Sequence, residues 1–151
     1  MTTWEEFAAA EPELARRVRE LFAQRKHATM ATLRADGSPR ISGTEVDFTD
    51  GGLHIGSMGG ARKALDLRRD PRCALHCPTV DAPEDDQAAW LGDAKIAGRA
   101  VEVGQAPGPD DSHRFRLDVS EVVLTKLTPT GDQLQIESWH PDRGLVVRQR
   151  A

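Results

Sequence analysis

Tyrosine is missing from this 151-residue chain, cysteine occurs twice, and cations hold no excess: net charge is −4 with a pI near 5.7. Each shortage closes a class of function. Without a positive field the chain has nothing to draw nucleic acid or an anionic membrane to it, and both are set aside as main partners. No apolar run approaches the roughly 20 residues of a spanning helix. The first residues, Met1-Thr2-Thr3-Trp4-Glu5-Glu6, lack the basic start and apolar core of a signal peptide, so the expected location is cytoplasmic.

The two cysteines, Cys73 and Cys77, fall four apart on an expected strand, on one face but too far apart along it to bond without distortion. They are read as buried thiols. Alternation turns His76 to the opposite face, and the paired-cysteine spacings of zinc sites are absent, so no metal centre is expected. No nucleophile stands beside a base in the sequence, which leaves hydrolase readings unsupported and catalytic residues unassigned.

What is present organises around residues 53–77. A short apolar strand (Leu53, Ile55) runs into Gly56-Ser57-Met58-Gly59-Gly60, and Arg62 and Lys63 then open a helix. Glycines let a ligand approach the backbone, a helix start leaves N–H groups unpaired, and two long cations add charge where a phosphate would sit. A Gly-Gly before a basic helix with solvated charges is the plainer alternative. Pro71 ends the helix after Arg68-Arg69-Asp70, and an apolar strand follows to Cys77.

In chain order, Thr3-Trp4-Glu5-Glu6 fits a capping box. Pro12 restarts a helix whose Leu14, Val18, Leu21 and Phe22 form one apolar stripe, with Arg16, Arg17, Arg19 and Glu20 outward. From His27 the pattern turns to β: strands over 28–33 and 39–48 flank the turn Ala35-Asp36-Gly37-Ser38, and Thr49-Asp50-Gly51-Gly52 closes a second hairpin. Gly43, mid-strand, marks a bulge or a ligand's close approach. Residues 78–93 read as an acidic loop in which Trp90 anchors rather than covers a ligand. Further strands are expected over 94–103, 115–124 with a bulge near Ser120-Glu121, 134–138 with Leu134 and Ile136 alternating against Gln135 and Glu137, and 145–150. Residues 104–111 form a surface connection. The length fits a single domain, 1–151, with a helical segment over 1–26 and a barrel over 27–150, small enough to suit a site completed by a second subunit.

The run from strand through Gly-rich turn, adjacent Arg62-Lys63 and Leu-rich helix to Asp70-Pro71-Arg72, with Asp36-Gly37-Ser38-Pro39 upstream and Trp139 downstream, resembles the pyridoxamine 5'-phosphate oxidase-like flavin-binding split barrels. Ala97-Gly98-Arg99-Ala100 resembles that family's strand with glycine at a tight bend. The resemblance implies a mainly β (α+β) fold, a six- to eight-stranded antiparallel split β-barrel with an N-terminal helix and a short phosphate-binding helix.

It also implies an oxidoreductase acting on a small molecule with the cofactor at a homodimer interface. Ser57, Arg62 and Lys63, beside Gly56, would hold the FMN phosphate, and Ser42, Gly43, Thr44 and Glu45 would line the ring, though Ser42 and Thr44 equally suit a polar outer face. Trp139 and Arg148 match the family's C-terminal Trp and Arg, with a barrel plug and a solvated edge as their alternatives. Asp47 stands where true pyridoxamine phosphate oxidases carry a lysine, and no Arg-x-His follows Trp139, so vitamin B6 oxidation is not expected. The helix start equally resembles that of deazaflavin (coenzyme F-420) reductases. A non-catalytic haem or flavin protein, with His27, His54 or His76 as haem ligand, and a ligand-free structural dimer complete the alternatives.

Overall fold

A computed structural model describes residues 2–104 and 111–151; the connection expected over 104–111 lies, save its two ends, outside the described residues. Two short helices lead. α1 (Trp4–Ala10) is closed by the capping box: Thr3 accepts from the Glu6 N–H while Glu6 reaches back to Thr3. α2 (Pro12–Phe22) starts on proline and buries Leu14, Val18, Leu21 and Phe22, the expected stripe, together with Ala15. Arg17 departs from the outward reading. Its guanidinium makes a forked pair with Glu137, at 2.7 and 2.5 Å, which clamps α2 to the sheet.

The rest is one antiparallel nine-stranded sheet. β1 (Ala28–Leu33) pairs with β2 (Pro39–Thr44); β3 (Val46–Asp47) pairs with β4 (His54–Ser57); α3 (Arg62–Arg69) precedes β5 (Arg72–His76), and β6 (Asp93–Gly104), β7 (His113–Leu127), β8 (Leu134–His140) and β9 (Gly144–Arg150) follow. The expected strand over 39–48 breaks at Glu45 into β2 and β3, which lifts the count above six to eight. The order is β2-β1-β5-β6-β7-β4-β3, so the two ends of the path are neighbours in the chain, and the sheet curls round without closing.

The long β7 is where the barrel splits. Its first part pairs with β4 over residues 113–116 and its last part with β8 over 122–127, so one edge serves two neighbours. The fork between them is filled by chain from elsewhere: the Leu117 N–H donates to the Leu53 carbonyl at 2.8 Å and the Val119 N–H to Thr2 at 2.6 Å. The bulge falls where the sequence puts it, with Ala97 facing Glu121 and Gly98 facing Val119, so that Ser120 is the extra residue. Opposite it, a Cβ on Gly98 would lie 1.8 Å from the Asp118 carbonyl oxygen. Only a glycine lets the two backbones meet there.

The aromatics gather under α1. Trp4 sits 4.9 Å from Phe48 and 5.0 Å from Phe7, and Phe7 meets Trp139 edge-on at 4.8 Å. With Trp139 inward, β8 turns over relative to the sequence reading: Glu137 faces the core beside it, 5% exposed, and the Arg17 clamp is what makes its burial tolerable. Both cysteines are buried free thiols, as expected, and burial pushes Cys73 up to about 12.

Candidate functional site

α3 is held from behind by a buried carboxylate. Asp66, 1% exposed, accepts from the Thr32 hydroxyl at 2.8 Å, the Arg40 guanidinium at 2.7 Å and the Arg69 guanidinium at 3.1 Å. Burial pushes its pKa upward, but Arg40 and Thr32 outweigh that and hold it below the usual carboxylate range. The helix is thereby fixed to β1 and β2 at its middle, and its start projects past them.

That start is open. Gly60, at φ +72°, turns the chain into Ala61, which occupies the N-cap position, and among the described residues no side chain caps the helix. Lys63, in its first turn, lines a cleft of about 730 Å³ between the β2–β3 break, β4 and the beginning of β7. That volume is in the range of small-molecule and cofactor pockets.

Of the residues expected to bind cofactor, Gly43, Thr44, Glu45, Gly56, Ser57 and Lys63 line this cleft. Lys63 reaches across it to donate to the Gly43 carbonyl at 2.8 Å, and burial lowers its pKa against a smaller opposing pull from Glu45. Gly43 is no bulge, since the β1–β2 register runs through it unbroken. A Cβ there would meet nothing within 4 Å, so the strand face is bare beside the lysine. The Ser57 hydroxyl donates to the Met58 carbonyl at 3.2 Å.

Four expected residues stand elsewhere. Ser42 lies one residue before the lining, half-buried; Arg62 is exposed on the far side of the helix start and does not line the cleft; Arg148 is exposed on the edge strand β9. Trp139, 5% exposed beneath α1, takes the place of a barrel plug.

The cleft also holds residues that the sequence reading gave other parts or none. Arg114 faces Gly56 across the β4–β7 ladder, lines the cleft, and stands 3.7 Å from the Asp47 carboxylate. The Thr49 N–H holds Asp47 below the usual carboxylate range. His54 shares that outer face. Burial, then the nearby Arg114, lower its pKa, and its buried Nδ1 has no partner among the described residues. His27 stands at the rim, 3.5 Å from Glu45.

Lys63 and the bare face of β2 thus meet at one cleft of a small, unclosed antiparallel barrel. Residues 14–126 match the family model described as pyridoxamine 5'-phosphate oxidase, and the chain belongs to that family. Three solved structures share the fold. PhzG from Burkholderia lata, in complex with tetrahydrophenazine-1-carboxylic acid, superposes with a TM-score of 0.66 at 12% identity over 95% of this chain and 91% of its own. A pyridoxamine 5'-phosphate oxidase-related, FMN-binding protein from Nostoc punctiforme gives 0.64 at 11% identity, covering 96% of each chain. A haem-binding protein from Mycobacterium smegmatis gives 0.55 at 15% identity over 92% of this chain and 88% of its own. No curated protein matches the chain.

Proposed function

We propose that the cleft binds a flavin, FMN in the first instance, and that the protein is an oxidoreductase acting on a small molecule, other than a true pyridoxamine phosphate oxidase. The observation that carries this is the uncapped start of α3, from whose first turn Lys63 projects into the cleft with a single carbonyl partner. A phosphate would take the open helix N–H groups and the lysine together, each charge-assisted contact worth about 1.5–3 kcal/mol. It would also relieve the desolvated ammonium. The bare face of β2 at Gly43 leaves room for a flat ring system. When bound, the flavin supplies hydride transfer, and the protein supplies position, charge and exclusion of water. The same seat suits the phosphate of a deazaflavin, coenzyme F-420.

A dimer fits this reading. Met58 and Ile41, at the cleft and on the outer strand β2, are 80% and 75% exposed, apolar surface that a second copy would cover while closing the cofactor in. A haem-binding role is the second reading, favoured by two histidines, His27 and His54, that line the cleft.

One spectrum of the untreated protein separates these. A flavin gives paired bands in the blue and near ultraviolet, a deazaflavin a single blue band, and haem a Soret band with the corresponding histidine signature lost in His27→Ala or His54→Ala. A colourless protein that binds neither added FMN, reduced deazaflavin nor haemin ends the proposal. Turnover with a nicotinamide donor and a small acceptor marks an enzyme rather than a store.

A further inference from the structure

On the same sheet face as Gly43 and two strands along, where Thr29 pairs with Gly43 on one side and His76 on the other, the β5–β6 ladder ends in an unusual way. Cys77 lies one residue past the end of β5. Its N–H still donates to the Ala94 carbonyl at 3.0 Å, but the returning bond goes elsewhere: the Ala94 N–H donates to the Cys77 Sγ at 3.1 Å. The carbonyl of Cys77 is taken instead by His76 Nδ1 at 2.6 Å. A carbonyl can only accept, so Nδ1 carries the proton and Nε2 presents a lone pair. That Nε2 stands 3.9 Å from a carboxylate oxygen of Asp93, too far for a hydrogen bond. Two acceptors thus face each other across a gap with a sulfur beside them, and the three ligand atoms lie within 4.8 Å of one another.

The alternation argument fails here because strand geometry stops at His76. It correctly turns the ring from Cys73, yet the bend at Cys77 brings the second thiol round to it.

We propose that His76, Cys77 and Asp93 form a three-ligand site for a divalent cation of borderline softness, with Zn²⁺ the best match. Ligands at Zn²⁺ distances of about 2.0–2.3 Å in a tetrahedral array lie roughly 3.3–3.8 Å apart, so closing the present spacing needs only small side-chain movements. The outer contacts are those a metal centre uses. One imidazole nitrogen is pinned to a backbone carbonyl, which fixes the tautomer, and the sulfur accepts a backbone N–H. A bound cation would supply the charge that a buried thiolate lacks.

Asp93 also walls another cleft of about 510 Å³, which Asp81, Glu84 and Trp90 line as well. Its acid lining concentrates cations beside the three ligands. This gives the acidic loop a part in the molecule that flavin chemistry does not.

The test is a cobalt titration of the full-length, reduced protein stripped of metal. One equivalent of Co²⁺ is expected to bring up a thiolate charge-transfer band with tetrahedral visible bands, displaced by Zn²⁺. Asp93→Asn and His76→Gln, both at partly exposed positions, are each expected to weaken Co²⁺ by at least about tenfold, while Cys73→Ala changes nothing. Cys77→Ser is expected to abolish the charge-transfer band, and the two exposed-site variants decide the matter if it fails to fold. Absence of the band at large excess of Co²⁺, or a band that survives unchanged in Asp93→Asn and His76→Gln, overturns the proposal.

Discussion

Two helices of this protein begin in opposite ways. The start of α1 is sealed by its own side chains, Thr3 and Glu6 exchanging bonds with the backbone. The start of α3 sits on alanine with no side-chain cap, and Lys63 in its first turn lines a cleft. The first arrangement is what a helix does when its end serves only the fold, and the second leaves donors available for something else. Yet α3 is the better anchored of the two at its middle, through buried Asp66. An open end on a rigid element is what the proposed phosphate position requires.

The comparison breaks most visibly at Asp66. Asp66→Ala leaves the Arg40 guanidinium, which is mostly buried, without its carboxylate and is expected to cost about 3–5 kcal/mol in urea unfolding. A loss below about 1 kcal/mol would mean that Ala64 and Leu67 alone dock α3. Next in size is Lys63→Ala, expected to weaken FMN by about 1.5–3 kcal/mol, ten- to a hundredfold, in a fluorescence titration.

The same lysine has a signature without ligand. Its folded pKa lies below the unfolded value, so the unfolded chain binds the extra proton, and stability rises with pH through the interval below the usual 10.5. That rise is expected to vanish in Lys63→Ala and to diminish when a phosphate-bearing ligand is bound.

Smaller effects come from exchanging the two helix starts. Thr3→Ala is expected to cost about 1 kcal/mol without touching ligand affinity. Ala61→Asp is expected to add about 0.5–1 kcal/mol to thermal stability and to lower FMN affinity, because the new carboxylate takes the same N–H groups. If Ala61→Asp leaves affinity unchanged, the helix start is not where the phosphate sits. The smallest effect concerns Glu102, held down to about 2 by Arg68 and then His113. A depressed carboxylate stabilises above its ordinary value and loses that as pH falls from 4.5 towards about 2. Glu102→Gln is expected to flatten the acid limb of a stability–pH curve over that interval by lowering stability slightly at neutral pH, where the carboxylate contributes, and leaving it unchanged near pH 2.

Periodicity and turn chemistry made most of the fold legible beforehand. The capping box, the stripe of α2, the stop at Pro71 and the bulge at Ser120 are local, and local rules decide them. What required three dimensions was register and rotation. Arg62 and Lys63 are equivalent on paper, and only the turn of α3 against β2 sends one into the cleft and the other away from it. Arg114 and His54 read as outward residues of ordinary strands until the β4–β7 ladder sets Gly56 opposite Arg114. Glu137 broke the simple rule that charge faces water, since its partner lies 120 residues earlier on α2.

The contact between Gly98 and the Asp118 backbone has a practical sequel for anyone reshaping this protein. With no room for even one methyl group, β6 and β7 are locked together at this point, so a redesign that leaves the sheet intact is better begun at Glu45, where the strand is already interrupted.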